Sequence, residues 1–242
     1  MKILLAPAET KSQGGELPSL LQTKNLFLYS DEVIEAYEEY LKNSSLEELS
    51  VWFGLKNQQE CKRYKESILS KPTKKAIERY TGVAFEAIDY PRLDAKSQQF
   101  IDENVMIYSN LFGVVRASDA IPEYKFKQGN ILPSLNTEKY YAKHLKPLLD
   151  GYLDDEVLDL SAGYYLKFYK PIGNVITYKF LKGGKVVSHF AKHYRGELVK
   201  QIALHKIGSF AELMNLKFEN LSLLEMQQKG NVKTIIMEIT EE

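Results

Sequence analysis

The sequence has a single cysteine, no long apolar run and no net charge, and each of these shortages excludes a class of protein. Cys61 alone cannot form an internal disulfide. The first residues, MKILLAPAETKS, hold too short an apolar run for a secretory signal, and no later run approaches membrane-spanning length. The 32 basic residues balance 32 acidic ones, so the total charge indicates neither nucleic acid nor membrane as a partner. We therefore expect a soluble cytoplasmic protein that does not bind membranes.

What the chain does contain is enough apolar sequence for a large core. Of its 242 residues, 44% are hydrophobic and 12% are aromatic, a composition typical of folded globular proteins. Patterns typical of strands and of helices alternate irregularly, which predicts a mixed α/β fold with helices around a mixed sheet. No repeat, low-complexity tract or linker interrupts the sequence, so we treat residues 1–242 as one domain.

The spacing of apolar residues predicts most of the secondary structure. The predicted strands are 2–6, 105–109, 157–161 and 232–239, and the predicted helices are 31–42, 46–53, 58–68, 74–80, 95–103 and 137–149. Two β-rich runs flank Gly183 and Gly184, a pair suited to the positive φ angles of a tight hairpin turn. The hairpin leads into a predicted helix with a buried stripe formed by Phe190, Tyr194, Leu198 and Ile202.

Positive charge is concentrated at the start of this last helix, where the helix dipole disfavours it. Lys192, His193 and Arg195 lie in the first turns, and each cation there costs roughly 0.3–1 kcal/mol unless an anion shares the site. The wider segment 162–207 holds nine lysines and arginines but a single acid, Glu197. Solvated surface lysines are the simpler explanation. The alternative is a basic face that binds an anion, because a broken local rule often marks a functional site.

A second candidate site is the apolar stretch 108–129, from which Arg116 emerges. This arginine either forms a buried ion pair with Asp119 or clamps an anion with its fork directed into a cleft. Both can hold at once, since a neighbouring aspartate can orient a binding arginine.

Residues 46–68 resemble two short helices joined by a turn that contains Gly54, Lys56 and Asn57. In a helix-hairpin-helix of this kind, the N–H groups that begin the second helix can hold a backbone phosphate without reading sequence. An ordinary helical hairpin is the commoner explanation of the same pattern.

The remaining candidates are metal and thiol chemistry. His189 and His193 have the four-residue spacing of metal ligands on a helix, but the glutamate of a HExxH motif is missing. We therefore expect no metal site, and direct iron binding by these histidines or nearby carboxylates stays a third alternative. Cys61 lies in a helical pattern, which is more typical of a small buried side chain than of a peroxide sensor. No catalytic triad, phosphate-binding glycine loop or dinucleotide fingerprint is present, so we expect no cofactor.

Five motifs, in order along nearly the whole chain, resemble those of the YaaA family of bacterial peroxide-stress resistance proteins. The segment with Pro7, Glu9 and Lys11 is similar to the family's P-S-E-G-K-T variant, and residues 80–82 match its Y-T-G. The other three similarities are LFGVVRASD to L-Y-G-(V/L)-L-R-P-L-D, DLSAGYYLK to N-L-A-S-x-E-Y-x-K, and SHFAKHYRG to S-F-x-A-K-x-A-R-G. One departure is Lys125 in place of an arginine, which supplies a point charge instead of a two-pronged contact.

The resemblance implies a family-specific fold with a helix-hairpin-helix at about 46–68 and a basic cleft. It also implies a protein that resists hydrogen peroxide by limiting damage from unincorporated iron, and that binds duplex or distorted DNA. Our first hypothesis is therefore a non-enzymatic protein that binds DNA largely without sequence specificity. The predicted contact residues are Lys11, Arg116, Lys167, Lys192, Arg195, Gly54, Lys56 and Asn57.

The second hypothesis is an enzyme that acts on a nucleotide or another phosphorylated small molecule in the same cleft. Glu9, Asp119 or Tyr165 would supply the acid–base chemistry. A carboxylate among cations motivates this hypothesis, because a groove that binds only DNA has little use for the acid. A closed pocket of about 300–1,000 Å³ favours the enzyme, and an open groove favours DNA.

Overall fold

Short runs of branched apolar residues form the centre of the sheet. The computed structural model describes residues 1–240, except the side chains of Ser188 and His189. Strand β1 (Lys2–Leu5, KILL) and strand β6 (Glu156–Leu160, EVLDL) are buried along almost their whole length, as strands of parallel sheets are when both faces are covered. The other described strands are β2 (Thr73–Lys75), β3 (Val105–Ser109), β4 (Gly113–Arg116), β5 (Ala120–Pro122), β7 (Asn174–Lys182), β8 (Lys185–Val186), β9 (Leu221–Lys229) and β10 (Val232–Ile239).

The main sheet has eight strands, with the path β4-β3-β1-β6-β7-β10-β9 and β8 paired to β7. The five central strands, from β3 to β10, run parallel, and β4, β8 and β9 are antiparallel to their neighbours. Strands β2 and β5 form a separate antiparallel pair. A mostly parallel sheet confirms the predicted mixed α/β class.

Helices surround the sheet, and several begin at capping residues that the sequence supplies. Ser30 caps the first helix and Asn136 the seventh, each accepting a backbone N–H. The described helices are α1 (Asp31–Asn43), α2 (Leu46–Phe53), α3 (Gln58–Lys65), α4 (Ala76–Arg79), α5 (Val83–Ile88), α6 (Ala95–Asn104), α7 (Thr137–Tyr152), α8 (Ser188–His205) and α9 (Phe210–Leu213), with 3-10 helices at Tyr90–Arg92 and Gly163–Lys167. Over residues 1–240, no helix combines the length and apolar character that crossing a bilayer requires.

Most predicted elements are confirmed, and the differences have local causes. The hairpin at Gly183 and Gly184 forms with both glycines at positive φ. The predicted helix 58–68 ends at Lys65, because the N–H of Ile68 binds the Glu38 carboxylate. The predicted helix 74–80 is wrong over its first residues, which pair with β5 as part of β2. Strand β9 and helix α5 were not predicted.

Three of the four residues predicted as the buried stripe of α8 are buried, whereas Phe190 is half-buried, and α8 packs against α5 at very short range. Tyr194, Leu198 and Ile202 are buried. Gly196 lies on the same helix where it meets α5, and a Cβ built there would be 2.0 Å from the carbonyl oxygen of Ala84. Only a residue without a side chain allows this approach.

We expect Gly196→Ala to destabilise the protein by about 1–3 kcal/mol or more, because α8 and α5 must separate. The measurement is the free energy of unfolding in urea. Gly151→Ala in α7 is the matched control, since its new Cβ meets no atom within 4 Å. Alanine there should be neutral or stabilising by up to about 1 kcal/mol, and equal effects of the two substitutions would contradict the packing argument.

Candidate functional site

A cavity of about 490 Å³ lies at the carboxyl ends of three parallel strands. Residues 6–11 follow β1, Asn110 follows β3, and Ala162 and Tyr165 follow β6, and all of them line the cavity. In the sheet, β1 lies between β3 and β6, so the later strands are placed on both sides of the first one. Ligands of open α/β sheets bind at such a switch point in strand order.

Two helices complete the walls of this pocket. Residues 81–85 contribute the start of α5, and Lys192 and Arg195 contribute the first turns of α8. The close contact at Gly196 holds these two helices together. The pocket therefore brings together five residues predicted from the sequence, namely Glu9, Lys11, Tyr165, Lys192 and Arg195.

The ammonium of Lys11 lies against aromatic faces. Its Nζ is 4.1 Å from the ring centre of Tyr124 and 4.9 Å from that of Tyr80. Its hydrogen bond to the carbonyl oxygen of Ala8 is long, at 3.5 Å, and within the described residues it forms no ion pair. The pKa of Lys11 is lowered to about 7. Burial is the largest cause, the nearby Lys125 cation is the next, and the charge of Glu9 raises the pKa by less than Lys125 lowers it.

Lys125 competes with Lys11 for the same carboxylate. The Lys125 side chain is buried, and its Nζ lies 3.9 Å from Oε2 of Glu9, which is itself exposed. Two amines therefore share one acid, an arrangement that favours loss of a proton from one of them. Sequence reasoning noted Lys125 only as a departure from the family motif and did not assign it to the site.

A network of hydroxyl groups supports the floor of the pocket. The Tyr124 hydroxyl lies 2.7 Å from the hydroxyls of both Tyr80 and Ser109. Burial raises the pKa of Tyr80 to about 12, so its ring stays neutral beside Lys11. Tyr165 donates its hydroxyl proton to Oδ1 of Asn110 at 3.1 Å, and burial raises its pKa. The Y-T-G motif was the signal for Tyr80, but its role as a platform for Lys11 was not predicted.

Arg195 supplies a partly satisfied guanidinium to the pocket. Its Nε is buried and has no hydrogen-bond partner among the described residues. Burial lowers the pKa of Arg195, and the Asp159 carboxylate opposes that shift. Asp159, at the end of β6, has its pKa raised by burial and accepts the N–H of Ser161. The cation-rich helix start thus has a protein carboxylate nearby, though the two groups form no ion pair in the described structure.

Lys192 differs from Arg195 in exposure. Lys192 is exposed at the pocket wall, and the neighbouring His193 is exposed but does not line the pocket. Val187, the residue before α8, forms no side-chain cap. The first N–H groups of the helix therefore gain no hydrogen-bond partner from that side chain. The side chain of His189 lies outside the described residues, and the described part of the chain holds no group of three or more His, Cys, Asp or Glu that could bind a metal.

Arg116 and Asp119 lie apart from this pocket. Arg116 Nε is 2.7 Å from Asp119 Oδ1, and the other carboxylate oxygen accepts the N–H groups of Arg116 and Phe27. Asp119 is 3% exposed, so the predicted ion pair is confirmed. Both residues line a second cavity of about 390 Å³.

The other predicted contact residues also lie outside the pocket lining. Lys167 Nζ is 3.4 Å from Glu138 Oε2, at the surface. Gly54 ends α2 in the left-handed conformation, and Asn57 caps α3 by accepting the N–H groups of Gln59 and Glu60. The N–H groups that were expected to hold a phosphate therefore already bind Asn57. Lys56 is exposed.

Cys61 is buried in α3, as its helical pattern predicted. The thiol donates to the carbonyl oxygen of Leu46 at 3.5 Å, and burial raises its pKa. A buried thiol of raised pKa is a poor nucleophile, so this position gives no support to a peroxide sensor.

We expect Lys11→Met to stabilise the protein more at pH 6 than at pH 10. The pKa of Lys11 falls from 10.5 to about 7 on folding, so the native state bears the cost of burying its charge below pH 7 and loses that cost as pH rises towards 10.5. Unfolding in urea across this range measures the difference. Lys143→Met on the exposed face of α7 is the control and should show a constant difference. A constant difference for Lys11→Met as well would refute the burial of its charge.

Comparisons with known proteins agree with the family resemblance that the sequence motifs indicated. A family model described as peroxide stress protein YaaA matches residues 1–227. The chain is 45% identical to an uncharacterized protein of Campylobacter jejuni over 99% of both chains. It is 33% identical to a UPF0246 protein of Corynebacterium glutamicum, with 84% of this chain and 85% of that one covered. A UPF0246 protein of Malacoplasma penetrans is 28% identical over 96% and 97%. The chain therefore belongs to the YaaA family of peroxide stress proteins.

Proposed function

We propose that this peroxide stress protein binds a phosphorylated small molecule of about nucleotide size in the pocket between β1, β3 and β6. The observation that carries the proposal is the convergence of Lys11, Lys192 and Arg195 on one cavity of about 490 Å³. That volume falls within the range of small-molecule sites, about 300–1,000 Å³. This supports the second hypothesis over an open groove.

Arg195 is the residue best suited to hold the phosphate. A guanidinium presents several N–H donors in a planar fork that matches phosphate oxygens. Its buried Nε has no hydrogen-bond partner among residues 1–240, and a buried donor left unpaired costs about 1–3 kcal/mol. A phosphate oxygen in the pocket would satisfy it, with Lys192 adding charge from the wall.

Acid–base chemistry in the pocket falls to Glu9. Tyr165 already donates its proton to Asn110, and burial raises its pKa, so it is a poor base. Asp119 is bound to Arg116 outside the pocket. Glu9 lines the cavity and stays exposed to solvent, which lets it exchange protons.

We expect AMP to bind more tightly than adenosine, and Arg195→Gln to weaken AMP binding about 10- to 100-fold, because a hydrogen bond to a charged group contributes about 1.5–3 kcal/mol. Isothermal titration calorimetry with AMP, pyrophosphate and adenosine measures this. The control is Lys143→Gln on the surface of α7. Lys143 does not line the pocket, so this substitution should leave the affinity for AMP unchanged. Failure of both phosphate compounds to bind at millimolar concentration, or equal affinity for adenosine, would contradict the proposal.

A second candidate function is DNA binding, and one contact favours it. Phe126 and Gln128 line the pocket, and the exposed Lys127 between them extends beside Gly54, where a Cβ would lie 3.6 Å from its Nζ. Trp52 of α2 packs against Phe126, with ring centres 4.8 Å apart and the rings tilted by 49°. The α2–α3 turn thus adjoins the pocket rim. A nucleic-acid strand could place one nucleotide in the pocket and a neighbouring phosphate near Lys56 and Lys127, and bound DNA would then be shielded from damage by unincorporated iron.

If DNA binds in this way, its affinity should fall with salt by about 0.9 logarithmic units per tenfold change for each phosphate contacted. Fluorescence anisotropy with two duplexes of unrelated sequence, at several KCl concentrations, measures the slope. Lys56→Ala should weaken both duplexes alike. Nicking of plasmid by ferrous iron and peroxide should also decrease at saturating protein. A flat salt response, or unchanged nicking, argues against this candidate.

A further inference from the structure

We propose that the Lys11 amine is a nucleophile that condenses with the carbonyl group of a phosphorylated aldehyde or ketone. The inference rests on the proposed function, because the phosphate of the substrate would be held by Arg195 and Lys192. It names the reacting group of the pocket and the class of substrate.

The placement of Lys11 is that of a reactive amine and differs from that of a structural cation. Its Nζ lies among Ala8 and Tyr124, which both line the cavity. By contrast, Lys75 binds Asp102 at 2.6 Å, Lys24 binds Asp31, and Lys167 binds Glu138. Those three lysines also lie near aromatic rings, but each has a carboxylate partner that Lys11 lacks within the described residues, so the Lys11 nitrogen can approach a guest in the pocket.

The surroundings of Lys11 favour the neutral amine near neutral pH. Burial is the main cause of its lowered pKa, about 7, and a second cation beside a lysine is a known means of activating an amine. The charged and titratable groups that face it are Glu9, Arg79, Tyr80, Glu123, Tyr124 and Lys125. Arg79 is fully buried and donates to the carbonyl oxygens of Ser12, Ile121 and Pro72, so its charge is fixed in place.

The reaction balances without an oxidant or reductant. The lone pair of Nζ forms a bond to the carbonyl carbon as the π bond of the carbonyl group breaks, and transfer of a proton from the nitrogen to the oxygen gives a carbinolamine. Expulsion of that hydroxyl group as water, with a proton delivered from Glu9 or solvent, leaves a protonated imine. The net change is one amine, one carbonyl and one proton converted to one iminium ion and one water.

Pyridoxal 5′-phosphate is a suitable probe, since it carries both an aldehyde and a phosphate. The protein is incubated with it at pH 7, reduced with borohydride to convert any imine to a stable secondary amine, and mapped by peptide mass spectrometry. We expect labelling of Lys11 at least about 10-fold faster than that of the exposed Lys143. The rate at Lys11 should reach half its maximum near pH 7. The Met1 amine, which pairs with Asp154, is read separately in the same map.

Matched arms separate this inference from the proposed function. Pyridoxal lacks the phosphate and should label Lys11 at least about 10-fold more slowly, and Arg195→Gln should remove that difference. Lys11→Arg keeps the charge and should abolish the fast label while the protein stays folded. Fast labelling of Lys11 by both aldehydes alike would support the nucleophile and overturn the phosphate site. Binding of AMP with no preferential label on Lys11 would overturn the nucleophile and leave the proposed function standing.

Discussion

The parallel pairing of β1 with β3 on one side and β6 on the other is the constraint on which the site depends. Parallel strands send their carboxyl ends to the same edge of the sheet, so three segments distant in sequence emerge side by side. β1 has only four residues, and the loop that follows it carries Glu9 and Lys11. Both faces of β1 are covered, so a slip of one residue in its register would bring the charged Lys2 into a buried position or leave Ala6 in the place of Leu5. Burial of Ile3, Leu4 and Leu5 therefore fixes where the loop begins.

Two of the predicted cations outside the pocket have partners that the pocket cations lack, whereas Lys56 is exposed. Arg116 and Lys167 each bind a nearby carboxylate. Lys11 and Arg195 have weak or partial compensation, from Glu9 and Asp159 respectively. Buried charge without full compensation is costly and persists only where the fold enforces it. The tight α5–α8 contact at Gly196 and the hydroxyl network under Lys11 provide that enforcement.

Sequence reasoning succeeded where a local pattern decides the structure. The strand Val105–Ser109, the hairpin at Gly183 and the stripe on α8 follow from apolar spacing and turn chemistry, and the Arg116–Asp119 pair follows from a charge in an apolar run. It failed where distant segments decide. Strand β9 is exposed along almost its whole length, so its apolar residues mark no buried face, and the part of β2 predicted as helix is held extended by β5. The sharing of Glu9 by Lys11 and Lys125 depends on segments more than 100 residues apart, which no local spacing encodes.

The carboxylate in the pocket distinguishes chemistry from simple retention of phosphate. A groove that only neutralises phosphates gains affinity from each cation and loses it from each acid, so Glu9 would weaken such a site. In a site that moves protons, Glu9 has a use. Its carboxylate lies 3.9 Å from the amine of Lys125, and its charge also acts on the amine of Lys11, whose pKa is lowered to about 7, mainly by burial. Glu9 is exposed to solvent, whereas burial raises the pKa of the phenols beneath Lys11, which therefore stay neutral. In the function that we propose, retention and reaction would be divided between the two sides of the cavity, with phosphate recognition on α8 and proton and carbonyl chemistry on the loop after β1.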